Sequence, residues 1–151
     1  MTATTTARTA TRSTQDTTSR TDVARDAILL AFRLVVGFLF GLHAVIPFGL
    51  AGGMDGAGAA APAWDFSWYV GIAQGLGALL IAAGLCTRVT GFLLSGMMAF
   101  AYFTVHAPEG WNPIWNMGEQ AALYSWIFLL FVAVGAGRFS LDAVRRSPGR
   151  G

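Results

Sequence analysis

Six polar residues lie in stretches that are otherwise apolar: Arg33, His43, Gln74, His106, Glu119 and Gln120. At membrane depth such groups are costly and usually functional. Two imidazoles, a carboxylate and an amide can pass or hold protons near neutral pH. Four of them, Arg33, His43, His106 and Glu119, also have a plainer reading. Asn116 and Glu119 have the spacing of a capping box, and a carboxylate there meets the positive end of a helix. His106 can simply end a helix before Pro108, and His43 can make one structural hydrogen bond. Arg33 either snorkels to headgroups or pairs with a buried acid or a bound headgroup. Two lone histidines are a poor basis for haem ligation, and no metal-ligand spacing is present. Cys86 is the only cysteine, which excludes an intrachain disulfide and CxxC redox chemistry.

The elements that must position these groups follow from composition and apolar runs. The 151 residues are 54% hydrophobic and 12% charged, about half the charge of a soluble domain. Four apolar segments stand out, near 27–50, 68–85, 89–106 and 118–134. Each is long enough as a helix to span about 30 Å of hydrocarbon. Helices are expected because lipid offers no partner to open backbone groups. Residues 1–24 are Thr-rich, contain no aromatic residue and are expected to form a disordered tail. Residues 25–143 form the membrane domain, and 144–151 a basic tail.

All ten basic residues are Arg. Nine lie in the tails or in the 86–88 turn: Arg8, Arg12, Arg20, Arg25, Arg88, Arg138, Arg145, Arg146 and Arg150. The loops at 51–66 and 107–117 hold none. The positive-inside rule then places both termini in the cytoplasm. Trp64, Trp68, Trp111 and Trp115 fall at the opposite boundary, as an aromatic belt would. The expected fold is therefore all-α, an integral membrane four-helix bundle with cytoplasmic N and C termini. By helical rise, His43, Gln74, His106 and Glu119 gather at its outer side, one from each helix. Small residues four apart (Gly37 and Gly41, Gly71 and Gly75, Ser95 and Ala99) predict close helix contacts, chiefly within the chain, with a dimer seam as the alternative.

With these residues in hand, the chain resembles the DoxX family of small bacterial membrane proteins over about residues 28–143. Arg33, Gly37 and His43 match its first-segment pattern. Gly84-Leu85-Cys86-Thr87-Arg88 matches its Gly-Leu-x-Thr-Arg turn, and Met98, Ala101 and His106 its third-segment pattern. Asn116-Met117-Gly118-Glu119 matches its Asn-x-Gly-Glu approach to the fourth segment. The most specific match is Gly135-Ala136-Gly137-Arg138-Phe139-Ser140-Leu141-Asp142. In that run Ser140 is placed to cap a short amphipathic turn, and Arg138 meets headgroups and a helix C-terminus. One departure is His43-Ala44-Val45-Ile46, where family members often have His-Gly-x-x-Lys.

The resemblance implies a bacterial plasma membrane protein in a quinone-linked respiratory or redox complex. A quinone headgroup would then meet His43, Gln74, His106 and Glu119 at the outer side. Arg33, Arg88 and Arg138 would serve structure or headgroup pairing. Membrane lipid and other subunits are the expected partners, a homo-oligomer is open, and nucleic acid is not expected. Whether the chain is itself an enzyme is not decided by sequence. One alternative is a non-catalytic assembly or scaffold subunit. Another, less favoured, is a small transporter, whose coupling site would sit nearer the midplane than Glu119 does.

Overall fold

The computed structural model describes the backbone of residues 3–146 and the side chains of residues 20–146. The helices are α1 (Ala3–Ala44), α2 (Phe66–Ala83), α3 (Thr87–Ala101), α4 (Glu119–Val134) and α5 (Leu141–Arg146). A π-helical segment (Tyr102–His106) and a 3-10 turn (Ala107–Glu109) continue α3. Among the described residues the only β-type pairing is an isolated bridge between Phe48 and Ala60. Three helical stretches, Arg20–Ala44, Phe66–Ala83 and Thr87–Glu109, are long and apolar enough to cross a membrane. The fourth, Glu119–Val134, is apolar but has 16 residues, about 24 Å of helix.

Several boundaries differ from expectation. The backbone of α1 is helical from Ala3, through the segment expected to be disordered. Composition spoke only to burial. Residues 3–24 contain no Gly or Pro, so nothing local stops a helix propagating outward from the apolar segment. At its other end α1 stops at Ala44 rather than Leu50. Pro47 lacks an N–H and its ring would clash with the carbonyl one turn back. The chain leaves through turns instead, Ile46 N–H to the His43 carbonyl at 3.3 Å and Phe48 N–H to the Val45 carbonyl at 3.1 Å. The plainer reading of Asn116 and Glu119 as a capping box is also corrected. Gly118 is the N-cap and Glu119 the first helical residue. Asn116 is instead buried in the preceding loop, where its Oδ1 accepts from Gly118 N–H at 2.8 Å and its amide donates to the Gly110 carbonyl at 2.7 Å. Of the 144–151 tail, 144–146 belong to α5 and the rest lies outside the described residues.

The helices form two close pairs, α1 with α2 and α3 with α4. Glycine makes each approach possible. A Cβ on Gly37 would sit 2.9 Å from the Ala78 carbonyl, and one on Gly71 2.9 Å from the Ala44 carbonyl. One on Gly91 would sit 2.8 Å from the Phe128 carbonyl. Gly37 and Gly71 of the small-residue pairs thus serve contacts within the chain. Aromatic side chains bridge the wider gap from α1 to α4: Phe40 meets Phe128 at 4.7 Å and Phe32 meets Phe131 at 5.4 Å between ring centres. Between α2 and α3, Leu94 fills the notch at Gly77. Many large apolar side chains point outward, Phe38, Leu79, Phe92 and Leu93 among them, as a surface solvated by lipid requires. One end of the molecule carries the 84–86 turn and α5 and is basic. The other, the loop end, carries the 45–65 and 102–118 connections.

Candidate functional site

A cavity of about 360 Å³ lies at the loop end between α1, α2 and the extension of α3. His43 and Pro47 come from α1 and its exit turn, Val70 and Gln74 from α2, and Met97, Met98, Ala101 and Thr104 from α3 and the π-helical segment. Leu94 on Gly77 holds α2 and α3 together nearer the basic end. Toward the loop end the exposed Phe66, Phe100 and Val105 form the cavity's rim. The π-helical segment matters here. Such bulges are rare and recur at functional sites, because they re-aim side chains within one helix. Thr104 and Val105 of that segment line the cavity, while His106 does not. The Thr104 hydroxyl donates back to the Phe100 carbonyl at 2.7 Å.

Two of the four expected site residues meet in this cavity. His43 is half-buried, its Nε2 3.2 Å from Gln120 Oε1 and its ring edge-on to Tyr124 at 5.9 Å. The Gln74 amide is half-buried in a mostly apolar wall that also holds Ser67 and Thr104, and it has no hydrogen-bond partner among the described residues. The other two lie elsewhere. His106 Nδ1 is 3.0 Å from the Asn116 carbonyl oxygen, and its Cβ packs under Gly118. It braces the loop before α4. Glu119 is exposed in the first turn of α4, outside the cavity wall. Gln120 and Tyr124 of α4 touch the site through His43, and Gln120 is the one that hydrogen-bonds to it. The cavity's lining follows residues four apart on one helix face, Val70 with Gln74, and Met97, Ala101 and Val105.

The three arginines converge on the basic end. Arg33 is wholly buried (0% exposed). It does not snorkel; its Nη2 donates to the Phe139 carbonyl, while Nε and Nη1 have no partner among the described residues. It fits only because Gly84 has no side chain: a Cβ there would lie 1.6 Å from Nη1. Arg88 donates to the Val132 carbonyl at 2.6 Å, near the negative end of α4. Arg138 pairs with Asp26, Nε to Oδ2 at 3.7 Å. Ser140 caps α5 as expected, accepting from Ala143 N–H at 3.2 Å. Asp142 was expected on a surface turn, but it reaches across to α3. Its two oxygens accept from Cys86 N–H at 2.8 Å and Thr87 N–H at 2.9 Å. Burial alone would raise its pKa, but these backbone hydrogen bonds and the nearby Arg146 hold it below the usual carboxylate range.

The DoxX family model matches residues 28–107. A protein of Haemophilus influenzae described as uncharacterized is 37% identical over 126 residues, which cover 78% of this chain and 90% of that protein. A second protein of the same organism, also described as uncharacterized, is 28% identical over 81 residues, 53% of this chain and 54% of its own. No solved structure matches the chain.

Proposed function

The chain belongs to the DoxX family, and from that premise we propose that it is the membrane subunit of a quinone-linked redox complex, holding a quinone headgroup in the loop-end cavity. Four crossings with both termini in the cytoplasm of a bacterial plasma membrane accompany this reading. The nine-to-zero division of arginines supports that orientation, and a short α4 can be accommodated by local thinning or oligomerisation. The loop end is then the outer face.

The observation that carries the reading is the partnerless Gln74 amide beside His43 in an apolar cavity of about 360 Å³. Ligand sites typically combine apolar walls with a few such polar groups, in volumes of roughly 300–1,000 Å³. A bound quinone would supply two-electron, two-proton chemistry. Gln74 would orient its ring oxygens, His43 would hold or accept a proton, and the methionine and phenylalanine walls would exclude water. The test is the quinone content of gently extracted, purified protein. The wild type is expected to retain quinone, and Gln74→Leu and His43→Phe to lose most of it. Equal content in all three, or none in the wild type, overturns the reading.

A second reading, an assembly subunit without chemistry of its own, is favoured by one feature. An almost wholly apolar groove of about 610 Å³ runs along α1 and α2 past Gly41 and Gly75, where added Cβ atoms would meet only ordinary contacts. Such a groove can seat a helix of another subunit or of a second copy. That reading expects partners to co-purify and the two cavity variants to retain function.

A further inference from the structure

His43 spends one ring nitrogen on α4. Its Nε2 lies 3.2 Å from Gln120 Oε1, and an amide oxygen only accepts, so Nε2 carries the proton. A neutral imidazole has a single N–H, which leaves Nδ1 as an acceptor. At His106 the same logic gives the opposite answer. Its Nδ1 lies 3.0 Å from a backbone carbonyl oxygen, so Nδ1 carries the proton. These two contacts call for opposite tautomers of the chain's two histidines. The edge contact with Tyr124 helps to keep the His43 ring plane in place.

His43 is in the cavity wall and Gln120 is not. The other polar side chains there, the Gln74 amide and the hydroxyls of Ser67 and Thr104, give no preference between a ring hydroxyl and a ring carbonyl: the amide and the Ser67 hydroxyl both donate and accept, and Thr104 donates back to its own helix. A His43 that only accepts does give one. A ring hydroxyl donates to its Nδ1, whereas a ring carbonyl would set lone pair against lone pair. We propose that Gln120 is a positioning residue that fixes the Nε2–H tautomer of His43, and that the cavity thereby selects the hydroxyl-bearing, reduced form of a quinone-type ring over its carbonyl-bearing form. The selectivity rests on the quinone reading above; the tautomer does not.

The test uses the full chain in detergent, labelled with 15N at histidine, at about pH 8 where an ordinary imidazole is neutral. Long-range proton–nitrogen spectra distinguish the two tautomers, and His43→Phe assigns the signals. The wild type is expected to show one Nε2–H ring, His43, and one Nδ1–H ring, His106. Gln120→Leu should turn His43 into a tautomer mixture and leave His106 unchanged. Gln120→Glu keeps an acceptor oxygen and should restore the Nε2–H form. An Nδ1–H His43 in the wild type, or a His43 spectrum that Gln120→Leu does not alter, overturns the role of Gln120.

Equilibrium dialysis against a short-chain benzoquinol and the matching benzoquinone, the quinol kept under argon, reads the selectivity. One hydrogen bond gained or opposed predicts about a tenfold preference for the quinol in the wild type, falling to about twofold in Gln120→Leu. Equal affinities in the wild type overturn the selectivity. Binding of neither ring overturns it together with the quinone reading, while the spectrum still decides the tautomer.

Discussion

Asp142 caps the N-terminus of a helix 55 residues before it in the chain, its Oδ2 accepting the Thr87 N–H at 2.9 Å and its Oδ1 the Cys86 N–H at 2.8 Å. Its own backbone N–H donates to the Gly84 carbonyl at 2.9 Å. The segment leading into α5 is thereby stitched to the turn between α2 and α3. Arg33 lies beneath, bonded to the carbonyl of Phe139.

The carboxylate makes this clasp acid-sensitive. Its pKa is depressed in the fold, so its contribution is fully present above the unfolded value of about 3.9 and is lost as pH falls through the folded value. The stability difference between wild type and Asp142→Ala in detergent should be constant from neutral pH down to about 5 and shrink below about 4. Asp142→Ala should lower stability by about 1 kcal/mol at neutral pH, as loss of a cap does. A difference undiminished in acid would refute the assignment.

Arg33 and Gly84 should behave as a coupled pair. Gly84→Ala places a methyl group on Arg33 and on Ser140 at a residue with φ +68°, and should cost about 3 kcal/mol or more. Arg33→Ala removes a carbonyl's partner and leaves a void. In the double variant the methyl has room, so the losses should fall short of additive by about 1–2 kcal/mol. Additive losses in thermal melts would mean that the two do not touch.

The glycines of the first segment should part company. Gly37→Ala pushes a methyl into the Ala78 carbonyl at 2.9 Å, whereas Gly41→Ala meets its nearest neighbour at 3.8 Å. The first should destabilise by about 1–3 kcal/mol. The second should be neutral, or stabilising by up to about 1 kcal/mol through helix propensity. Denaturation in mixed micelles measures both.

His106→Ala should loosen the loop before α4 without touching the cavity. Loss of its hydrogen bond to Asn116 and its packing on Gly118 should cost about 1–2 kcal/mol. Quinone retained per mole of protein should stay at the wild-type level, in contrast to His43→Phe. A parallel loss in both histidine variants would return His106 to the site.

The amino-acid sequence by itself determined what depends on local composition and period. Apolar runs gave long lipid-facing helices and arginine counts gave one basic end. The Gly-Leu-x-Thr-Arg turn and the closing run through Asp142 were legible as motifs. That they interlock around Arg33 was not, because no spacing rule links residues 33, 84 and 142. The gathering of polar groups at one end was legible from helical rise. Which of them share a cavity was not, because rise fixes depth and leaves azimuth open. Azimuth was decided by tertiary features: the exit at Pro47, the π-helical segment that turns His106 away from the cavity Thr104 lines, and the start of α4 at Glu119, which leaves Gln120 rather than Glu119 on His43. Local sequence sets how far along a helix a side chain sits. Only the packing of one helix on another sets which way it faces.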